Sequence, residues 1–363
     1  MKAESKTPDA WYTEDGPESD VVLSTRVRLA RNLSGFVFPV VIKSDDADRV
    51  ESLIFDAFNQ LDNPDQFQMV RMSHIDSLGR RILAERGVID PETGNEPWRA
   101  VVIRSDGVLS ATVNMEDHLR IAAFTPGLSL WPCSTIVNEA DHTLQEHLQF
   151  SAQAGTGYLT SNLFDVGTGM KASVLLCLPG LCMNGLLDRV IREYLAQGFT
   201  VRGYYDSDGA VSLGCLYQLS GGAASAGDIP GQIGRMEQAA GKLADLERKS
   251  RAELYRTAPT TVEDTVYRAI VTAKYARFIN LREAVDLIHR IKLGLSLGLV
   301  TGTSDQDLTA LLYRVQTAHI GFVILNGSII IEDDVVSEDL RTDRLRAMVI
   351  QEVLKTADIH ERR

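Results

Sequence analysis

The stretch Leu23-Ser-Thr-Arg-Val-Arg-Leu-Ala-Arg-Asn32 constrains this chain more than any other. Read with a period of two, Leu23, Thr25, Val27 and Leu29 fall on one face of a strand, and Ser24, Arg26 and Arg28 on the other. Two guanidinium groups at i and i+2 therefore project side by side. On a solvated edge strand such a pair is ordinary surface charge. Planar forked donors at strand spacing also match a polyphosphate chain, provided that more cations converge on the same place.

The 363 residues suggest two domains. Helical periods run over Asp46–Leu61, a stretch ending near Ala84, Leu144–Ala154, Leu186–Ala196 and Met236–Arg256. Trp98–Ile103 and Val108–Val113 predict a hairpin around Ser105-Asp-Gly107, and Lys171–Leu178, Phe199–Tyr205 and Leu213–Leu219 predict further strands. Gly221–Gly234 is a Gly/Ala/Ser loop. The break at Thr257-Ala-Pro-Thr-Thr separates this part from Val262–Arg277, Leu281–Leu293, Asp305–Gln316 and Glu338–Lys355, all helical in period. The expected fold class is α+β: residues 11–256 on an antiparallel sheet flanked by helices, then an all-helical domain over residues 257–363.

A net charge of −12 argues against a nucleic-acid or membrane-surface partner, because the basic footprint is missing. The polar start Met1–Gly16 and the lack of a long apolar run point to a cytoplasmic protein. Cys133, Cys177, Cys182 and Cys215 form no CxxC pair, which reads as reduced thiols rather than zinc ligands or a disulfide framework. No metal-ligand motif is expected.

Further cations follow along the chain. Asn114-Met-Glu-Asp-His-Leu-Arg120 brings acids and an arginine into one turn, Gly167-Thr-Gly-Met-Lys-Ala-Ser173 is a glycine-rich turn with Lys171 beyond it, and Arg202-Gly203 sits in a strand. The glycine turn imitates a dinucleotide fingerprint but feeds a strand, not a helix, and there is no GxxxxGK[ST], so neither a Rossmann site nor a P-loop is expected. Each cation alone reads as surface charge.

Together, and in this order, the segments Ser24–Asn32, Asn114-x-Glu-Asp-His-Leu-Arg-Ile121, Gly167-Thr-Gly-x-Lys-Ala-Ser-Val174 and Val201-Arg-Gly203 resemble the ATP:guanido phosphotransferases (phosphagen kinases). Within them the likeness is to the bacterial protein-arginine kinases, supported by Trp11–Asn32, Phe124–Leu128 and Gly157–Ser161. The resemblance implies transfer of the ATP γ-phosphoryl group to an arginine nitrogen. It implies nucleotide binding through Ser24, Thr25, Arg26, Val27, Arg28, Arg120, Lys171, Ala172, Ser173, Val174, Leu175, Arg202, Gly203, Tyr204, Tyr205, Asp206 and Ser207, with Mg²⁺ held mainly by the phosphates. Glu116 matches the catalytic glutamate that aligns the guanidinium and takes its proton.

Kinases of small guanidino compounds carry a helical domain before the SxRxR strand, whereas here that strand begins at Leu23, so an open site for a protein-bound arginine is implied. The family's phosphoarginine-binding RDxxRA motif corresponds to Thr342-Asp343-Arg344-Leu345-Arg346-Ala347, with Asp343 and Arg346 retained; a charged helix face is the plainer alternative. Five departures accompany these matches. Met115 replaces an acid, and Asn162 stands at the reactive cysteine. Lys171 replaces an arginine, and the second substrate glutamate has only Asp206 or Asp208 near its place. The family's histidine near the adenine is lost around Gly87. Two readings stay open: a working protein-arginine kinase, and a pseudokinase that binds nucleotide or phosphoarginine as a scaffold. The implied partners are protein substrates with exposed arginines, a zinc-binding activator, a Clp-type protease and a second copy of the chain. Leu287, Ile291, Leu295 and Leu299 suit either a dimer interface or the core.

Overall fold

The computed structural model describes residues 10–204, 213–327 and 329–360. Tyr205, Asp206, Ser207 and Asp208, four of the expected site residues, lie outside the described residues. The strands are β1 (Val22–Arg31), β2 (Phe67–Arg71), β3 (Ala100–Arg104), β4 (Leu109–Val113), β5 (Leu119–Pro126), β6 (Ala152–Gln153), β7 (Gly157–Tyr158), β8 (Met170–Cys177), β9 (Thr200–Gly203), β10 (Leu216–Ser220), β11 (Val300–Thr301) and β12 (Asp358–Ile359). The short antiparallel pair β11–β12 corrects the expectation that residues 257–363 are all-helical. The longer helices are α1 (Ser44–Phe58), α2 (Ser77–Glu85), α3 (Leu130–Gln145), α4 (Pro179–Met183), α5 (Leu187–Ala196) and α6 (Ile229–Thr257), then α7 (Pro259–Tyr275), α8 (Leu281–Ser296), α9 (Asp305–Arg314), α10 (Thr317–Asn326) and α11 (Glu338–Val353). The chain divides into two compact units: residues 1–16, 24–173 and 220–238 form one, and residues 17–23, 174–219 and 239–363 the other.

In the first unit the strand order is β2-β3-β4-β5-β1-β8. The β2–β3, β3–β4, β4–β5 and β5–β1 pairs are antiparallel. The expected hairpin is present: Asp106 accepts from the Val108 N–H at 2.9 Å, and Gly107 adopts φ 67°. β1 is an interior strand, not the solvated edge on which two arginines would be unremarkable. Its pattern is the predicted alternation, with only Arg26 and Arg28 half-buried in an otherwise buried run.

Two helices depart from expectation: α6 begins at Ile229, inside the Gly221–Gly234 stretch read as a loop, and α3 is displaced. Leu144–Ala154 was expected to be helical, but α3 ends at Gln145 and residues 152–153 are extended. Leu144 and Leu148 are both buried at helical spacing, which carries the period past the real end. The helix lies upstream, where Leu130, Cys133, Val137 and Leu144 face the core, and Pro132 sits in its first turn, where its missing N–H costs nothing.

The second unit has the order β8-β10-β9 and a core built on α7, α8, α9 and α11. Leu287, Ile291 and Leu299 are buried in that core and Leu295 packs against it, so the core role is the one they fill. α10 was not anticipated, because its apolar run Ala318–Leu325 lacks a polar face from which to read a period. Cys133 and Cys177 are buried, and burial pushes both thiols up to about 12. Among the described residues no single helix is long and apolar enough to cross a membrane.

Candidate active site

The β1–β5 register builds the cationic face of the first unit. Arg26 pairs with Phe124 and Arg28 with Ala122, so Arg26, Arg28, Arg120 and Phe124 share one side of the sheet. The Arg26 guanidinium lies over the Phe124 ring, 5.1 Å from its centroid, and Trp11 stacks on that ring at 5.5 Å. Arg28 donates to Asp165 at 3.1 Å. Arg120 donates to Asp117 through Nε at 2.9 Å, contacts Glu116 through Nη1, and lies 3.6 Å from Asp165 through Nη2.

Burial sets the electrostatics of this cluster. Burial and the neighbouring Arg120 charge pull the Arg28 guanidinium below its ordinary value, against Asp165 and Glu116. For Arg120 burial works the same way but loses to the Glu116 hydrogen bond and the charges of Asp117, Glu116 and Asp165, which hold it above its ordinary value. Among the described residues the buried Arg28 Nε and Arg120 Nη2 have no hydrogen-bond acceptor. Arg99 Nε, Arg251 Nη1 and Arg344 Nη1 share that property, so an unmatched N–H does not by itself mark a ligand site; what sets Arg26, Arg28 and Arg120 apart is that their guanidinium groups share one face of the sheet. The donor set therefore fits nucleotide phosphates.

Asp117 and His118, next to Glu116, fix the turn on which that glutamate stands. Fully buried Asp117 also accepts from Asn32 Nδ2 at 2.8 Å and from the Ser161 N–H at 2.7 Å. His118 Nδ1 accepts from the Leu33 N–H at 3.0 Å, so Nε2 carries the proton and donates to the Val37 carbonyl at 2.9 Å. Asn114 enters the turn at φ 53°, a left-handed conformation that Asn tolerates, and its amide donates to the carbonyls of Ala47 and Trp98. Glu116 itself is 45% exposed, the one acid of this turn that faces solvent.

Several expected nucleotide ligands are placed as scaffold. Thr25 is fully buried, donating to the Gly127 carbonyl at 2.6 Å and accepting from the Ser129 N–H at 3.1 Å. Ser24, Val27, Ala172, Ser173, Val174 and Leu175 are buried in strands. Lys171 is half-buried in β8; in the second unit Arg202 is exposed on β9, with Gly203 and Tyr204 half-buried after it. The glycine-rich turn has a backbone reason: Gly167 and Gly169 adopt φ 116° and 68°, and a Cβ at Gly169 would meet the Ala30 carbonyl oxygen at 2.6 Å.

The departures have structural content. Met115 packs against the apolar cluster of Met72, Leu83, Ile89 and Val101, where a carboxylate would lose its water. Asn162 caps the turn Leu163–Asp165, its Oδ1 accepting from the Phe164 N–H at 3.0 Å. Gly87, at φ 70°, sits against the Phe124 ring.

Sequence reasoning missed two acids. Asp165, 2% exposed, lies between Arg28 and Arg120, and its place two residues before Gly167 was the available signal. Asp141 holds Arg31 through two hydrogen bonds of 2.9 and 2.8 Å, and it was missed because α3 was missed. Arg31 also donates to the Ala30 and Thr168 carbonyls and stacks on Tyr158 at 3.7 Å. In the second unit Arg346 is buried, donating to the carbonyls of Val315 and Ile279 at 2.8 and 3.0 Å, to Asp343 and to Thr317.

The sequence model for the ATP:guanido phosphotransferase C-terminal catalytic domain matches residues 49–250, and that for the protein-arginine kinase McsB C-terminal domain matches residues 259–363. The chain is 37% identical over 296 residues to the protein-arginine kinase of Desulforamulus reducens, covering 80% of this chain and 83% of that one. It is 32% identical over 357 residues to that of Syntrophomonas wolfei, covering 96% of both chains. This chain belongs to the protein-arginine kinase family. Solved structures agree in fold: lombricine kinase matches with a TM-score of 0.57 at 18% identity, covering 70% of this chain and 74% of that one. A duplicated taurocyamine kinase from Schistosoma mansoni matches with a TM-score of 0.58 at 20% identity, covering 70% of this chain and 39% of that one. A guanido phosphotransferase catalytic region is thus followed in this chain by a McsB-type C-terminal domain.

Proposed function

We propose that this protein-arginine kinase transfers the γ-phosphoryl group of ATP to arginine side chains of proteins through the face built by Arg26, Arg28 and Arg120. The observation that carries this reading is the convergence of Arg26, Arg28 and Arg120 on one face of the β1–β5 pair, with exposed Glu116 in contact with Arg120. Phosphoryl transfer asks the protein mainly for positioning and charge neutralisation. Arg26, Arg28 and Arg120 supply the cationic face, Lys171 joins them in this reading, and Arg202 is a further nucleotide-binding candidate by resemblance alone. A divalent cation, Mg²⁺ in this reading, would neutralise phosphate oxygens and be held mainly by them; among the described residues no His/Cys/Asp/Glu cluster offers a cation cage.

The acceptor guanidinium has no lone pair until it loses a proton. Glu116, solvent-facing and fixed by Arg120, aligns the acceptor and takes that proton as the P–N bond forms. Asn162 retains one lone pair on Oδ1 for the acceptor guanidinium beyond the Phe164 bond, and Asp206 or Asp208 would supply the second acid. Asp343 and Arg346 are the phosphoarginine candidates of the same reading, together with a second copy of the chain, a zinc-binding activator, a Clp-type protease and a cytoplasmic setting, all expected from the family resemblance alone.

The test is incubation of the protein with Mg·ATP and an arginine-rich unfolded protein, followed by mass spectrometry under non-acidic conditions. Wild type is expected to form phosphoarginine, and Glu116→Gln to lose about 10²- to 10⁴-fold in rate. Nucleotide binding without product would reject this reading in favour of the pseudokinase.

A further inference from the structure

Between the turn's capping residue Asn162 and buried Asp165 stand Leu163 and Phe164, 84% and 72% exposed. Large apolar side chains this exposed forfeit the stabilisation that burial gives them. The turn is nonetheless rigidly held. The Phe164 N–H donates to Asn162 Oδ1, the Phe164 carbonyl accepts from the Ala224 N–H at 2.7 Å, and Thr160 Oγ1 donates to the Asn162 carbonyl at 2.8 Å. Asp165 anchors the far side to Arg28. Collapse onto the protein is thus prevented by the bonds that place Asn162 and Asp165 at the site.

We propose that Leu163 and Phe164 are a docking step for the polypeptide that carries the acceptor arginine, contacting apolar residues beside that arginine. The proposal rests on the kinase reading above. It commits to one occupant because of continuity: the acceptor guanidinium is aligned by Asn162 and Glu116, and the step starts one residue from Asn162. An acceptor arginine in that position brings its own neighbours within one side chain's length of the site. Charge agrees, since exposed Glu116 and a net charge of −12 favour an arginine-bearing segment while the step reads its apolar flanks.

The experiment uses full-length protein and two fluorescent peptides of equal charge, one with the arginine between Leu and Phe, the other between Ser and Gly. Phosphoryl transfer and fluorescence anisotropy are measured with wild type, with Leu163→Ser/Phe164→Ser and with Phe164→Leu. Wild type is expected to show an about tenfold lower KM and Kd for the apolar-flanked peptide. The double variant should lose that preference and Phe164→Leu should keep most of it, with the KM for Mg·ATP within about twofold throughout. Equal KM and Kd for the two peptides with wild type, or a preference that survives in the double variant, overturns the proposal. Anisotropy keeps the two readings apart. A binding preference without phosphoarginine rejects the kinase reading and retains the docking step, whereas turnover without preference does the reverse.

Discussion

The arginines of the β1–β5 face and Arg346 of α11 are held in the protein by different means. Arg346 gives its donors to two carbonyls, a carboxylate and a hydroxyl of the protein. Arg28 is held by Asp165, and Arg120 by Asp117 and Glu116 with Asp165 3.6 Å away; each keeps a buried N–H without a hydrogen-bond acceptor among the described residues. Arg31, three residues from Arg28 on the same strand, belongs with Arg346: Asp141, Ala30 and Thr168 take its donors. Spacing and residue type do not separate the two kinds of arginine. The acceptors around each one do: backbone carbonyls take donors of Arg31 and Arg346, whereas among the described residues the acceptors at Arg28 and Arg120 are carboxylates.

That distinction can be broken by substitution. The largest effect is expected at Arg31. Arg31→Met leaves Asp141 buried and uncompensated, and urea denaturation should show a loss of about 3–5 kcal/mol. A loss below about 1 kcal/mol would remove Arg31 from the scaffold class. Asp165→Asn acts on the other class. It removes the negative charge that competes with phosphate for Arg28 and Arg120, so calorimetry should find ADP bound about three- to tenfold more tightly. Weaker binding would instead mean that Asp165 holds the arginines in their binding geometry.

The smallest effect concerns the turn beneath Glu116. Burial, outweighing the Val37 hydrogen bond and the Asp117 charge, keeps the His118 imidazole below its ordinary value of 6.5. Its lowered folded value means that the unfolded chain takes up the proton first. The stabilisation from neutral His118 is therefore complete above pH 6.5 and declines as pH falls from there toward the folded value, by at most about 1.4 kcal/mol per pH unit. An imidazole NMR titration should place the His118 midpoint below 6.5, with the proton of the neutral ring on Nε2; a midpoint above 6.5 would contradict the assignment.

Much of this was legible in the sequence. The period-two pattern of Leu23–Leu29 located β1 and the two arginines that share its face, and the hairpin at Ser105–Gly107 and the break at Thr257–Pro259 follow from local turn chemistry. What failed to show was pairing across long separations. Arg31 with Asp141 spans 110 residues and Arg28 with Asp165 spans 137, and no local rule links such partners. Thr25 was expected at the nucleotide from the family resemblance; its hydroxyl bonds to Gly127 and Ser129, more than 100 residues away, are likewise beyond any local rule.

The most direct measurement is calorimetric titration of ADP into wild type, Arg28→Gln and Arg346→Gln, each with its stability measured by urea. The account predicts that Arg28→Gln weakens nucleotide binding at least about tenfold, and that Arg346→Gln binds normally but is less stable by about 3 kcal/mol. Normal nucleotide affinity in Arg28→Gln would contradict the claim that the arginines of the β1–β5 face form the phosphate site.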